Sequence, residues 1–280
     1  TRESAAPYCG PPMPEKYFSV EGVATHVYHT GATSLPDRVP DTTAGETLLC
    51  LHHSGGNGAN FSQLMGKLEG QHSPLAFDFP GHHRSGSLDS LGSVERMASF
   101  AGALIDKLGL GPTVLLGHSM GGSVALELAL TRPSAVRALV LCATAAIYPE
   151  SAELLERFRL ITEGKAKRHF DPTAYSRSTP KEVIGAGFAD SFKTDPRAVY
   201  PNLLALRAWE ADSRLGEVSV PTLVVVGADE DPYMTEQADR MTSQIPGASR
   251  VVIDNAAHMI PLEQPGPLAD AVTAFLEGLA

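Results

Sequence analysis

The stretch that decides the fold is Val114-Leu115-Leu116-Gly117-His118-Ser119-Met120-Gly121. A short apolar segment leads into it, a helix-like segment follows, and its centre fits the pattern G-x-S-x-G. In that pattern a serine stands on a tight strand-to-helix turn, and glycines flank it because side chains there would collide with the turn. A chance glycine-rich turn would not need this strand and helix around it. We therefore predict that Ser119 presents a nucleophilic hydroxyl above the edge of a sheet.

Strands and helices alternate on both sides of this turn. Apolar runs such as Val114–Leu116 and Leu139–Leu141 contain no polar alternation, which is typical of parallel strands covered by helices on both faces. The alternation stops near Ala146 and resumes at Thr222, and the residues between are helical in character and broken by prolines. The predicted parts are an irregular N-terminal arm over residues 1–16, an α/β core over 17–146 and 213–280, and an inserted helical segment over 147–212.

The composition excludes several classes of protein. The chain has 280 residues, of which 32 are acidic and 22 basic, so its formal charge is −10. Nucleic-acid binding is disfavoured because phosphates attract clustered Lys and Arg, and no apolar run approaches the ~20 residues of a membrane helix. Three cysteines are too few for a disulfide scaffold. We expect a soluble, cytoplasmic protein; Thr1 leaves a removed export signal open, and the oligomeric state is open too.

A second signal follows the predicted strand Thr47–Leu51. The sequence continues as His52-His53-Ser54-Gly55-Gly56-Asn57, and a turn there would aim backbone N–H groups toward the serine. Acyl transfer needs such donors, because the carbonyl oxygen becomes an anion in the tetrahedral intermediate. We predict that the N–H groups of Ser54 and Met120 form this oxyanion hole.

Two further loops at the same sheet edge carry a base and an acid. His258 follows the last predicted strand, and imidazole is the usual base that takes a serine proton near neutral pH. After the strand Thr222–Val226 the sequence reads Gly227-Ala228-Asp229-Glu230-Asp231-Pro232. We favour Asp231 as the acid that orients the histidine, because the following proline restricts its backbone. Glu230 is the alternative, and Asp229 comes third.

The chain order of Ser119, Asp231 and His258 resembles that of the α/β-hydrolase superfamily. The resemblance runs from about Tyr17 to Leu279, and the chain looks most like the smaller capped members. That group includes carboxylesterases, enol-lactonases, C–C hydrolases and haloperoxidase-like enzymes. The other resembling stretches are Leu51-His52 with Gly55-Gly56, Asp78-Phe79-Pro80-Gly81-His82-His83-Arg84-Ser85, Pro221-Thr222-Leu223-Val224-Val225-Val226-Gly227, and Ala257-His258.

The resemblance implies an α/β fold whose mostly parallel sheet has about eight strands and is flanked by helices. It also implies that residues 147–212, inserted after the strand at 136–141, form a helical cap over Ser119. No cofactor and no metal are expected, and a bound metal is also disfavoured by the histidine spacing, which lacks a zinc-like H-E-x-x-H pattern.

The expected function is hydrolysis of a small to medium carboxylic ester or lactone through an acyl-enzyme on Ser119, using a Ser-His-Asp triad. One alternative is a C–C bond (diketone) hydrolase or a perhydrolase that uses the same triad. Another is a non-catalytic member of the fold that binds a small molecule. The only expected partner is the small-molecule substrate, with no nucleic acid and no membrane span.

Overall fold

One mixed sheet organises the protein. A computed structural model describes residues 13–32, 35, 38–149, 151–168 and 170–279. The strands among these residues are β1 (Glu15–Val20), β2 (Val23–His29), β3 (Thr47–Leu51), β4 (Ser73–Phe77), β5 (Thr113–His118), β6 (Val136–Cys142), β7 (Thr222–Gly227) and β8 (Ser249–Ile253). Their order in the sheet is β1-β2-β4-β3-β5-β6-β7-β8. The pairings β1–β2 and β2–β4 are antiparallel, and all the others are parallel.

Helices cover both faces of this sheet. The α-helices of the described residues are α1 (Ser62–Leu68), α2 (Val94–Leu108), α3 (Met120–Thr131), α4 (Ala152–Thr162), α5 (Lys181–Ser191), α6 (Pro196–Ala208), α7 (Pro232–Gln244), α8 (Ile260–Glu263) and α9 (Pro265–Glu277). Buried side chains of α2, α3 and α7 form one apolar cluster with the sheet, and those of α1 and α9 form the other. The predicted fold class is therefore confirmed.

The central strands explain the apolar runs of the sequence. Every residue of β5 is buried, and successive side chains alternate between the two clusters. Leu115 packs with α2 and α3, whereas Leu116 packs on the side of α1 and α9. A fully buried leucine contributes roughly 1.5–3 kcal/mol relative to an exposed one. A strand that is buried on both faces therefore needs no polar alternation.

Helix α2 shows how local signals set the boundaries. The Ser93 side chain accepts a hydrogen bond from the Arg96 N–H at the start, and Gly109 ends the helix with φ 63°. A serine N-cap satisfies a donor that the first turn leaves free, and glycine adopts the left-handed conformation without a Cβ clash. The residues at the two ends therefore limit α2 to Val94–Leu108.

The predicted arm is shorter than expected. The sequence predicts irregular chain up to residue 16, but strand β1 already begins at Glu15. Glu15 and Lys16 belong to the strand because they pair with Tyr28 and Val27 of β2. Residues 1–12, which hold the rest of the arm and Cys9, lie outside the described residues.

The chain leaves the sheet between β6 and β7. This inserted segment, residues 147–212, contains α4, α5 and α6. Its two ends lie side by side, because Ile147 and Glu210 form an isolated bridge and the Ala211 N–H donates to the Ala146 carbonyl at 2.9 Å. The chain therefore leaves the core and returns to it at one place, directly after the carboxyl end of β6.

Candidate active site

Ser119 stands on a strained turn between β5 and α3. Its backbone angles are φ 54° and ψ −120°, a conformation that costs of order 1–3 kcal/mol for a residue with a Cβ. Two hydrogen bonds hold it there. The Ser119 N–H donates to the Cys142 carbonyl at 3.0 Å, and the Thr144 hydroxyl donates to the Ser119 carbonyl at 2.7 Å. The serine thus lies on the strand-to-helix turn that the sequence predicts.

The two flanking glycines are required by close backbone contacts. A Cβ on Gly117 would lie 2.2 Å from the Gly121 carbonyl oxygen. A Cβ on Gly121 would lie 2.0 Å from the carbonyl oxygen of Leu51, the last residue of β3. Neither position can accept a side chain unless the turn moves, and a moved turn would displace Ser119.

We expect Gly121→Ala to lower the free energy of unfolding by about 3 kcal/mol or more, because the added methyl group meets backbone atoms that cannot turn aside. Gly66→Ala is the matched control. Gly66 lies in α1 with no atom within 4 Å of its would-be Cβ, so alanine should stabilise the protein by about 0.5–1 kcal/mol. Urea unfolding measures both. Equal stability of the two variants would contradict the packing argument.

His258 lies between the serine and an acid. Its Nε2 is 3.0 Å from Ser119 Oγ, and its Nδ1 is 3.1 Å from Glu230 Oε2. The Nε2–H of His118 donates to the His258 carbonyl at 2.7 Å, which fixes the main chain beside the imidazole. Ser119 and His258, predicted from separate loops, are therefore in hydrogen-bond contact.

The acid in contact with His258 is Glu230, so the expectation that Asp231 occupies this place is wrong. Asp231 is the exposed N-cap of α7, and its side chain accepts a hydrogen bond from the Tyr233 N–H at 2.8 Å. The Glu230 side chain is only 3% exposed, and its other oxygen accepts from the Asp231 N–H at 3.0 Å. An aspartate followed by proline at the first helical position is an N-cap signal, and that signal explains Pro232.

The predicted oxyanion turn follows β3 directly. Leu51 pairs with Gly117 across the sheet, so the turn after β3 starts beside the turn that carries Ser119. Gly55 has φ 79°, and the Gly56 N–H donates to the His53 carbonyl at 3.0 Å, which closes the turn. Within the described part of the chain, the N–H groups of Ser54 and Met120 donate to no protein acceptor. Both remain available for the expected role.

Two hydrogen bonds of the His52 ring hold this turn. Its Nδ1–H donates to the His53 carbonyl at 2.8 Å, and its Nε2 accepts a hydrogen bond from the Phe79 N–H at 3.0 Å. Only the neutral ring can donate with one nitrogen and accept with the other. In agreement with this, burial lowers the pKa of His52 well below its ordinary value, and the neighbouring His82 lowers it further.

Two more neutral histidines surround the base. Burial lowers the pKa of His118 well below its ordinary value, with His53 and His258 acting in the same direction. Burial, followed by the proximity of His258, lowers the pKa of His53 to about 4. The rings of His53 and His118 pack edge to face at 5.0 Å, and those of His118 and His258 lie 5.4 Å apart. His258 therefore lies beside rings that stay uncharged at neutral pH.

These neutral rings should make the fold sensitive to acid. In the unfolded chain the histidines take a proton near pH 6.5, whereas in the folded protein the pKa of His53 is about 4 and burial lowers the pKa of His118 well below its ordinary value. The unfolded state then binds more protons, so stability is full above about pH 6.5 and falls toward pH 4.5, each ring contributing up to about 1.4 kcal/mol per pH unit. Urea unfolding across this range measures the slope.

His118→Gln provides the control for that slope, because glutamine keeps an N–H donor for the His258 carbonyl but cannot titrate. Its stability should fall less steeply with decreasing pH than that of the unmodified protein. Carboxylates begin to contribute below about pH 5, but they do so in both proteins, so the difference between the two slopes reports the ring of His118. A free energy of unfolding that is constant between pH 6.5 and 4.5 would contradict the assignment of neutral rings.

The inserted segment contacts both loops that complete the site. The Ala174 carbonyl accepts the N–H groups of His258 and Met259 at 3.1 and 3.2 Å. Asp190 Oδ2 accepts the side-chain amides of Asn57 and Asn60, which follow the oxyanion turn, both at 2.7 Å. The segment therefore lies against the histidine loop on one side and the oxyanion turn on the other.

No group of three or more His, Cys, Asp or Glu side chains among the described residues could hold a metal ion. The helices that the structure describes include none that is long and apolar enough to cross a membrane.

Over residues 48–271 the sequence matches the alpha/beta hydrolase family. The chain belongs to this family. It is similar to (E)-2-((N-methylformamido)methylene)succinate hydrolase of Acinetobacter baylyi, with 23% identity over 83% of this chain and 91% of that protein. It is also similar to pimeloyl-[acyl-carrier protein] methyl ester esterase of Neisseria meningitidis, with 27% identity over 88% of this chain and 97% of that protein.

Among solved structures, a thermophilic esterase from Thermogutta terrifontis shares the fold of this α/β hydrolase with a TM-score of 0.81. That likeness covers 95% of this chain and 99% of the esterase at 24% identity. The family and its relatives support hydrolase activity for this chain, and they leave the substrate open.

Proposed function

We propose that this α/β hydrolase cleaves a small to medium carboxylic ester or lactone through an acyl-enzyme on Ser119. One observation carries the proposal: a continuous line of contacts joins Ser119 Oγ to His258 Nε2 at 3.0 Å and His258 Nδ1 to Glu230 Oε2 at 3.1 Å. That order of nucleophile, base and acid is the arrangement that makes a serine hydroxyl reactive.

The acid decides which nitrogen of His258 carries the proton. A carboxylate can only accept, so Glu230 selects the tautomer with the proton on Nδ1 and leaves Nε2 free to take the proton of Ser119. When His258 becomes charged, the buried Glu230 carboxylate stabilises the imidazolium. Glu230 is therefore proposed as the third member of a Ser-His-Glu triad.

Acylation follows from these positions. Ser119 Oγ attacks the carbonyl carbon while its proton passes to His258 Nε2, and the carbonyl oxygen becomes an anion. The N–H groups of Ser54 and Met120 are proposed to bind that anion, and the positive end of α3 favours it as well. When the intermediate collapses, His258 gives its proton to the leaving alkoxide. A water molecule, activated by His258, then hydrolyses the acyl-enzyme.

We also propose that the inserted segment acts as a cap over Ser119. Its contacts with the histidine loop through Ala174, and with the residues after the oxyanion turn through Asp190, support this role. A cap over the acyl-binding space would exclude water and select substrates by shape.

A substrate panel tests the reaction class. We would measure turnover of p-nitrophenyl esters of graded acyl length, of lactones, and of a vinylogous diketone, because C–C hydrolysis uses the same serine apparatus. Esters or lactones are expected to be turned over with the highest kcat/KM, as the similarity to a methyl ester esterase suggests. Turnover of the diketone alone would favour a C–C hydrolase. No turnover at all, without labelling of Ser119 by an organophosphonate, would favour a binding protein.

A further inference from the structure

A buried glutamate joins the inserted segment to the histidine loop. Glu263, the last residue of α8, is 5% exposed. Its Oε1 accepts the Ser176 N–H and the Thr179 hydroxyl, both at 2.6 Å, and its Oε2 accepts the Ala257 N–H at 3.0 Å. No cation among the described residues forms an ion pair with it. A buried carboxylate without a counter-ion is costly unless donors surround it, so these three donors are what keep it in place.

The same short piece of the inserted segment makes two more contacts with the site. The Ala174 carbonyl accepts the N–H groups of His258 and Met259. The Ser176 hydroxyl donates to Asp229, the residue before Glu230. Residues 174–179 are thus bonded to the loop that carries the base and to the loop that carries the acid.

The carbonyl of His258 is held by His118, but the N–H groups of the histidine loop are held through Glu263 and the inserted segment. The N–H groups of three consecutive residues, Ala257, His258 and Met259, donate to Glu263 or to Ala174. If residues 174–179 moved away, Ala174 would leave with them, and Glu263 would lose two of its three donors. The N–H groups of His258 and Met259 therefore keep their hydrogen-bond partner only while this part of the inserted segment is seated.

We infer that Glu263 is a positioning residue, which aligns His258 with Ser119 only when residues 174–179 are seated on the core. The inference rests on the proposed function, since it assigns the alignment a role in that reaction. A small displacement of a base relative to its nucleophile can cost about 10²-fold in rate. When the cap is seated on the core, it would thus align His258 with Ser119 as well as cover the site.

The chain offers a matched control in Glu127. This glutamate of α3 is also buried, with 4% of its side chain exposed, and it also holds the inserted segment to the core. Its Oε2 accepts Trp209 Nε1–H at 3.0 Å, near the C-terminal end of the segment, and Arg214 Nη1–H at 2.9 Å, just after that end. Neither of these partners belongs to the histidine loop.

The experiment compares Glu263→Gln with Glu127→Gln. Glutamine must turn its NH₂ group toward a donor on one side, so both variants should lose thermal stability. For Glu263→Gln we expect kcat on the best ester to fall by about 10- to 100-fold with KM changed less than about 3-fold. For Glu127→Gln we expect kcat within about 3-fold of the unmodified enzyme. Equal effects of the two variants on kcat would overturn the inference.

Hydrogen exchange provides a readout that does not need turnover. In Glu263→Gln the amides of His258 and Met259, which donate to Ala174 and not to Glu263, should exchange faster together with those of residues 174–179. In Glu127→Gln they should exchange as in the unmodified protein. Unchanged exchange at His258 and Met259 in Glu263→Gln would overturn the positioning role of Glu263. This result does not depend on ester turnover, so the positioning role and the proposed function can fail separately.

Thr179→Val serves if Glu263→Gln does not fold. It removes one donor and leaves the Glu263 carboxylate with two backbone N–H partners. We expect kcat to fall by about 3-fold and the same amides to exchange faster, since the carboxylate loses one of its links to the inserted segment. Unchanged kcat and unchanged exchange in Thr179→Val would equally count against a positioning role.

Discussion

Replacing Ser119 with alanine is expected to lower kcat by at least about 10³-fold while the protein stays folded. The hydroxyl that contacts His258 Nε2 at 3.0 Å would be gone, and no acyl-enzyme could form. Alanine also carries a Cβ, so the strain at φ 54° is unchanged and the turn keeps its two backbone hydrogen bonds. Kinetics on the best ester, with circular dichroism to check the fold, measure the effect.

Ser123→Ala is the control for this experiment. Ser123 lies one turn further along α3, fully buried, and its hydroxyl donates to the Ala145 carbonyl at 3.4 Å. Its loss should leave kcat within about 3-fold of the unmodified enzyme. An organophosphonate should label Ser119 in the unmodified protein and nothing in Ser119→Ala. Full activity of Ser119→Ala, or labelling of another residue, would contradict the proposed nucleophile.

The positions of Ser119 and His258, the proposed nucleophile and base, are predictable from the sequence because each is tied to local chain geometry. The turn at Ser119 needs glycines at 117 and 121, where backbone atoms lie within about 2 Å of any added Cβ, and that need is visible in the sequence. His258 follows β8, the last of the parallel strands of the sheet, and the carboxyl ends of such strands meet at one edge. The strand pattern alone therefore predicts that the two residues lie at the same edge of the sheet.

The acid that contacts His258 is not predictable in the same way, because acids at three consecutive positions, 229 to 231, could either cap the following helix or reach the histidine. Asp231 and Glu230 follow the same strand, and one of them must cap α7 while the other reaches the histidine. The proline at 232 does restrict the direction of Asp231, but it directs that side chain toward the Tyr233 N–H. Pro at the first helical position with Asp before it is the signal that could have assigned the cap.

The link through Glu263 is beyond the reach of sequence reasoning for a different reason. Its partners Ser176 and Thr179 lie 87 and 84 residues away in the chain. They belong to the helical inserted segment, where no pattern of strands predicts which residues come to lie beside the core. Only the folded structure shows that a carboxylate after the histidine is buried and has no cation partner among the residues that the structure describes. Contacts between the inserted segment and the core are therefore the part of the site that the sequence leaves undefined.

The identity of the acid leads to the second large effect. We expect Glu230→Gln to lower kcat/KM by about 10²- to 10⁴-fold, because a neutral amide cannot stabilise the imidazolium. If its NH₂ group faces Nδ1, it also favours the tautomer whose Nε2 carries a proton and cannot accept one from Ser119. Glutamine has the length of glutamate and can still accept the Asp231 N–H, so the loop should keep its conformation.

Asp231→Asn is the matched control, and it tests directly whether Asp231 has any part in the triad. Asparagine caps a helix about as well as aspartate, so the Tyr233 N–H keeps its acceptor and stability should change by less than about 0.5 kcal/mol. Activity should stay within about 3-fold, since Asp231 has no contact with His258. Both variants are measured on the same ester after circular dichroism confirms that each is folded. If Asp231→Asn loses activity while Glu230→Gln keeps nearly all of it, the triad is Ser-His-Asp. The loop would then have to rearrange when substrate binds, so that Asp231 reaches His258.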